Sequence, residues 1–331
     1  MLDKNLLNKI DEWIDSHKEE YLADLARLVA VPSAANLGVA PGEFPFGEGS
    51  AAALKTAKEM AEGYGFEVEN RDNFCLVAHV GGGSEKVGIL GHLDVVPCGD
   101  DWEYPPYALT RLPDGDTIVG RGVMDDKGPL WASVYAVRCL KELGVLPRRA
   151  IEIFMGGDEE CGMEDVKHYK ATSEKLPVVT FTPDSEYPIC HGEKGIMRFN
   201  FTVPNESSNV VSFIGGTVRN VVAGHAELVL SGVEFDEAAA KLAGRDRVSV
   251  VRDGENVKII AEGASVHAST PENGVNAIGV AANAALEAGL AKGGAEAALG
   301  FIAKVLSDYN GAAIGVPLED EPSGKLTHVG G

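Results

Sequence analysis

The chain has 331 residues, 45% of them hydrophobic and 7% aromatic, which is enough for a substantial core and, at this length, for two domains. Lys and Arg total 29 against 50 Asp and Glu, a formal charge of -21. Such a field repels phosphate backbones and anionic lipid headgroups, so nucleic acid and membrane surfaces are excluded as natural partners.

In the opening segment Leu6, Ile10, Trp13, Ile14, His17, Tyr21, Leu25 and Leu28 fall on one helical stripe with charges between them. The pattern predicts an amphipathic helix rather than a signal peptide, and no apolar run approaches the roughly 20 residues of a membrane span. Cys75, Cys98, Cys139, Cys161 and Cys190 are odd in number and contain no C-x-x-C pair, so neither a disulfide framework nor a zinc knuckle is indicated. The cytoplasm is the expected compartment.

Short apolar runs then alternate with a helical pattern. FEVENRD, FCLVAHV and KVGILGH read as strands, and Pro129 to Leu143 as a helix with proline in its first turn and Gly144 just past its end. AIEIFMGG and VVTFTPD read as further strands. Strands separated by helices predict an α/β unit with a mostly parallel sheet flanked by helices, whose functional residues gather at the carboxyl ends of the strands. After about residue 194 the texture changes. IMRFNFTV alternates Met197, Phe199, Phe201 and Val203 with polar neighbours, and VSVVRDGENVKII predicts a hairpin turning at Asp253-Gly254. The alanine-rich NAIGVAANAALEAGLA and GFIAKVL are helical, with AGLAKGGAEAALG as a helix-loop-helix, so a second, α+β domain is expected.

Four motifs carry chemistry. In GHLDVVP, His92 and Asp94 are two apart in an extended segment and point the same way, so the carboxylate can hold one ring nitrogen and leave the other for a metal; a turn pair at a strand end explains the motif equally well. In GRGVMDDKGP, a glycine-rich turn brings Asp125 and Asp126 to the start of a helix, where amide dipoles favour negative charge. Capping accounts for one aspartate but poorly for two. FMGGDEECG places Asp158, Glu159 and Glu160 directly after a strand; adjacent carboxylates repel unless they share a cation or a proton, and one glutamate can bind metal while its neighbour moves protons. VVTFTPDSEYP ends the next strand in Asp184, which alone is a turn aspartate. Together they bring a histidine and several carboxylates to successive strand ends, a donor set that suits zinc and also cobalt or manganese. Two such ions bridged by a carboxylate form a hydrolytic arrangement.

GHLDVVP, GRGVMDDKGP, GGDEECG, FTPDSEYP and the later GASVHASTPENGVNA resemble the signature set of the dizinc peptidase family that includes carnosinases, aminoacylases and succinyl-diaminopimelate desuccinylase, nearest its bacterial PepV-type dipeptidases. The resemblance runs from about Leu28 to the last residue. It implies a catalytic domain over residues 1–193 and an inserted lid domain over 194–331, acting as a monomer on dipeptides with a free amino group. Position by position, it implies that His92 and Asp184 hold one Zn2+, Asp125 bridges, and Glu160 holds the second, with Co2+ or Mn2+ as substitutes. Asp94 would orient His92, and Glu159 would be the general base, taking a proton from the attacking water and passing it to the leaving amine. The peptide between Asp125 and Asp126 would be cis. His267 would donate to the oxyanion, although by itself it fits an ordinary loop histidine, and Asn220 would contact substrate. The family's second zinc takes a last histidine from a C-terminal segment, and its lid carries a substrate-binding arginine; neither has a counterpart here. His328 has no ligand-like surroundings, and the chain is expected to be a C-terminally incomplete form. The alternatives are an amidohydrolase acting on N-acyl or N-succinyl amino acids and a non-catalytic metal-binding relative.

Overall fold

The computed structural model describes residues 3–35, 43–98, 102–145, 148–185, 188–190, 192, 194–202, 207–216 and 220–330. The chain divides into two units, Met1–Cys190 and His191–Gly331.

The first unit begins with helix α1 (Lys4–Val29), whose start is capped by the Asp3 carboxylate accepting from the Asn5 N–H at 3.1 Å. Trp13, Leu25, Leu28 and Val29 are its buried residues. Ile14, expected on the core stripe, is 53% exposed instead, because it follows Trp13 by one residue and so projects about 100° further round the helix. Helix α2 (Glu48–Gly63), β1 (Glu67–Arg71), β2 (Cys75–Val80) and β3 (Lys86–His92) follow. A two-residue-per-strand hairpin, β4 (Thr110–Arg111) and β5 (Ile118–Val119), then leads to α3 (Lys127–Glu142), β6 (Ala150–Gly156), α4 (Glu164–Thr172) and β7 (Val179–Phe181).

The main sheet runs in the order β1-β2-β6-β3-β7. β6, β3 and β7 are parallel, with β2 antiparallel to β6 and β1 antiparallel to β2. Helices cover both faces. Leu76, Ala78, Ile153 and Met155 pack with Leu28, Leu54, Leu130 and Trp131 from α1, α2 and α3, whereas Cys75, Val77 and Phe154 turn the other way toward Tyr169 of α4. Strands buried on both faces have to be apolar throughout, which is why FCLVAHV and AIEIFMGG show continuous rather than alternating hydrophobicity. Truncating Ile153, which is fully buried, to Ala is worth about 2–5 kcal/mol.

Helix α3 starts two residues before the proline, with Asp126 as its N-cap, and stops at Leu143 before Gly144, whose φ of 69° only glycine adopts freely. The Lys127 ammonium is fully buried and donates to the carbonyls of Leu28 and Val31, both at 2.8 Å, so the turn that opens α3 also ties off the end of α1. β7 is only three residues long, shorter than VVTFTPD suggests, and Val179 and Phe181 are more than half exposed.

The second unit is built on β8 (Val210–Gly215), β9 (His225–Leu230), β10 (Val248–Asp253) and β11 (Asn256–Glu262), an antiparallel sheet in the order β10-β11-β9-β8. The β10–β11 turn is the predicted one, with Gly254 at φ 62°. Helices α5 (Phe235–Leu242), α6 (Ala277–Glu287) and α7 (Gly294–Val305) share its core. Five alanines of α6 are fully buried, letting that helix lie close to β9 and β11. A last short pair, β12 (Glu319–Asp320) and β13 (Gly324–Lys325), follows.

The alternation in IMRFNFTV does not produce a strand. Ile196, Met197, Phe199 and Phe201 are all at least 67% exposed, and Val203 lies outside the described residues. Period-two alternation needs a neighbouring strand to accept the ladder bonds; residues 194–202 take none, and Phe201 instead packs edge-on against Phe301 of α7, at 5.4 Å. Among the described residues no helix is long and apolar enough to cross a membrane.

Candidate metal centre

The parallel register aligns the strand ends. His92, the last residue of β3, pairs with Gly156, the last residue of β6, and the Leu93 N–H donates to the Gly156 carbonyl at 2.8 Å. The chain leaving β6 through Gly157 and Asp158 therefore delivers Glu159 and Glu160 beside His92. β7, on the other flank of β3, ends at Phe181 and brings in Asp184. Asp125 and Asp126 arrive from the turn before α3.

His92 is fully buried at the centre. Its Nδ1 lies 3.0 Å from the main-chain carbonyl of Asp94. A carbonyl can only accept, so Nδ1 carries a hydrogen and Nε2 faces the cluster. Nε2 is 3.0 Å from Asp125 Oδ1, 3.4 Å from Asp184 Oδ2 and 3.8 Å from Glu159 Oε2. Two triads place their donor atoms within 4.8 Å of one another: His92, Asp125 and Glu160, and His92, Asp126 and Asp184. The peptide between Asp125 and Asp126 is cis.

The charges do not balance among themselves. Burial alone would lower the His92 pKa, but hydrogen bonds to Asp125, Asp184 and Asp94 outweigh it and hold the imidazole well above its ordinary range. The same bond to His92 keeps Asp125 below the usual carboxylate value. Burial and then the Asp125 charge push Glu160 up to about 7; burial raises Glu159, and burial lifts Asp126 to about 7. Asp126 Oδ2 accepts the His92 main-chain N–H at 3.1 Å, while its buried Oδ1 has no hydrogen-bond partner. Carboxylates crowded round one imidazole, with a buried Asp126 oxygen left without a partner, form a site that a divalent cation can occupy, displacing protons as it binds. One nitrogen with several hard oxygens suits zinc, cobalt or manganese, and the residues present fit such an ion.

Space is reserved for this crowding at Gly91. A Cβ there would sit 2.5 Å from Asp126 Oδ2 and 2.9 Å from Leu130 Cδ1.

Asp94 does more than the sequence suggests. Its carboxylate lies 3.4 Å from Nδ1 of the imidazole, and its two oxygens also accept the main-chain N–H groups of Glu159 and Glu160, each at 3.1 Å. Two further buried carboxylates support the site: Asp158, named in the sequence but given no role of its own, and Asp165, which sequence reasoning missed. Asp158 Oδ2 accepts from the Glu164 N–H, and Asp165 Oδ2 from the Asp158 N–H, so together they brace the turn that carries the glutamates. The only sequence signal for Asp158 was its place beside the glutamates.

His267 and Asn220 belong to the second unit and lie next to one another: Val221 bridges to His267, and the Ala268 N–H donates to the Asn220 carbonyl at 2.8 Å. The exposed His267 ring places Nδ1 2.7 Å from the Ser269 hydroxyl. A cleft of about 470 Å³ nearby is lined by Val221, His225, Glu227 and Ser265 among others. Residues 186–187 and 217–219 of the flanking motifs lie outside the described residues. His328 Nε2 bonds the Val305 carbonyl at 2.8 Å, a local contact within its own unit.

Known proteins share this arrangement of sequence. The Beta-Ala-Xaa dipeptidase of Lactobacillus delbrueckii subsp. lactis is 32% identical over 276 residues, 80% of this chain and 58% of that protein. The putative dipeptidase YtjP of Bacillus subtilis is 31% identical over 321 residues, 94% of this chain and 69% of that protein. The solved structure of the di-peptidase Dug1p from Saccharomyces cerevisiae overlaps 72% of this chain and 49% of its own, with 18% identity and a TM-score of 0.47. The chain thus spans 58% and 69% of the length of the two curated relatives. Residues 88–298, well over half of the chain and including every strand-end motif, match Peptidase family M20/M25/M40, and the chain belongs to that family.

Proposed function

We propose that this chain carries the metal-binding and proton-moving residues of a metal-dependent dipeptidase that cleaves dipeptides with a free amino terminus. One observation carries the reading: His92, Asp125, Asp126, Glu160 and Asp184 converge as two overlapping triads, with the Glu159 carboxylate beside them. The names of the curated relatives point to dipeptides rather than blocked amino acids.

In this reading His92 and Asp184 would hold one metal ion and Glu160 the second, with Asp125 shared between them; zinc, cobalt or manganese would fit these donors. When bound, the ions polarise the scissile carbonyl and make a water nucleophilic near neutral pH. Glu159 takes the proton from the attacking water and delivers it to the leaving amine nitrogen; its raised pKa suits a group that has to do both. The second unit acts as the lid domain of residues 194–331, with His267 donating to the oxyanion of the tetrahedral intermediate and Asn220 contacting substrate. The joint placement of His267 and Asn220 on one pair of segments supports that role. The cytoplasm is the proposed compartment, in keeping with Cys75, Cys98, Cys139 and Cys161 being thiols.

The test is metal content of the purified chain together with hydrolysis of a β-alanyl and an α-linked dipeptide, each with and without an N-acetyl block, in added zinc, cobalt or manganese. Retained metal and cleavage of only the unblocked peptides is the expected result. Cleavage of only the blocked compounds would make the chain an amidohydrolase, and metal retention with no cleavage a binding protein.

A further inference from the structure

The two halves of the cluster are joined by one side chain. Asp94 is fully buried two residues beyond the end of β3, while Glu159 and Glu160 follow β6. Asp94 Oδ1 accepts the Glu159 N–H and Oδ2 the Glu160 N–H, each at 3.1 Å. Successive peptide N–H groups aimed at one anion form a nest, and the bonds to it are charge-assisted. The His92 ring, by contrast, is held from Nδ1 by the main-chain carbonyl of residue 94 at 3.0 Å, with the carboxylate farther off at 3.4 Å. Residue 94 therefore faces both ways: its carbonyl and, at 3.4 Å, its carboxylate meet the imidazole, while the two carboxylate oxygens hold the opposite loop.

We propose that Asp94 is a positioning residue for the Glu159–Glu160 loop, fixing the proton-moving carboxylate and its metal-binding neighbour together relative to His92. A carboxylate suits that task because both of its oxygens accept. Asparagine would retain one acceptor and turn an NH2 toward the other peptide N–H, donor against donor. The importance of the clamp for hydrolysis rests on the metallopeptidase reading, but the clamp itself does not.

The experiment is amide hydrogen exchange and ring nitrogen NMR on the metal-free chain, wild type and Asp94→Asn. The expected result is that the Glu159 and Glu160 amides of the variant exchange at least about tenfold faster, as loss of a buried bond dictates, whereas the His92 ring signals report the separate loss of the Asp94 charge 3.4 Å from Nδ1. Unchanged protection of both amides would overturn the proposal and leave the carboxylate to the imidazole alone. Should the variant not fold, the wild type decides: exchange of both amides at least about tenfold slower than in an unstructured peptide supports the clamp, and unprotected rates sink it. Neither readout uses metal or substrate, so failure to hydrolyse dipeptides would leave this result standing, and loss of the clamp would leave the hydrolysis result standing.

Discussion

The strand-end cluster of the first unit and the His267–Asn220 pair of the second hold their candidate residues in opposite ways. In the cluster, His92, Asp94, Asp126 and Asp158 are buried, their main-chain or side-chain bonds reach across β3, β6 and the starts of α3 and α4, and Asp125, though exposed, is held 3.0 Å from the His92 ring. In the second unit His267 is exposed and its ring contacts Ser269, two residues away. The first arrangement is set before any ligand arrives, at the cost of packing like charges together; the second leaves a side chain able to turn toward whatever is presented to it. A metal site requires fixed donors, whereas a group that meets substrate late in the reaction does not.

That contrast can be broken from either side. Glu159→Gln removes the proton carrier and leaves the ligands, so turnover of an unblocked dipeptide is expected to fall about a thousandfold with metal affinity near wild type; parallel losses in both would make Glu159 a ligand. His92→Ala takes away the imidazole shared by both triads, and calorimetric titration should show metal affinity reduced more than about a hundredfold, beyond what loss of an outer partner costs. Binding of undiminished strength would locate the metal elsewhere. His267→Ala should lower turnover about a hundredfold, leave metal affinity alone and change stability by less than about 0.5 kcal/mol. Unaltered turnover would return it to the status of a loop histidine. The mildest effect is that of pH. Glu160, raised to about 7, has to lose its proton to bind metal, so affinity should rise with pH and drop at least about tenfold for each unit below neutrality, His92 adding to the slope. An affinity flat across that range would remove Glu160 from the ligand set.

Much of this was legible in the residues. FCLVAHV, KVGILGH and AIEIFMGG announced buried strands because both of their faces are covered, and proline and Gly144 bracketed α3 because its ends demand particular backbone angles. The strand-end motifs signalled a site because carboxylates that crowd together without pairing require an explanation. What stayed hidden was long-range and main-chain. Asp94 bonds peptide groups 65 and 66 residues away, and a peptide N–H is the same whatever side chain it carries, so no pattern of residue types betrays the clamp. The stretch 194–202 misled for the complementary reason: alternation records what a strand would bury, and the neighbour it needs is not written in the same nine residues.

Gly91 is the next-to-last residue of β3, at a position where any scale of β-propensity would install valine or isoleucine. Between the pleat of β3 and the oxygen of Asp126 there is room for a hydrogen atom and for nothing larger. Automated stabilisation of this chain, ranking substitutions by strand preference and burial, would choose that position early and collapse the cluster while improving the score. A designer should freeze it, and a library that randomises β3 should find it intolerant of every other letter even when its neighbours Leu90 and Ile89 exchange freely among aliphatics.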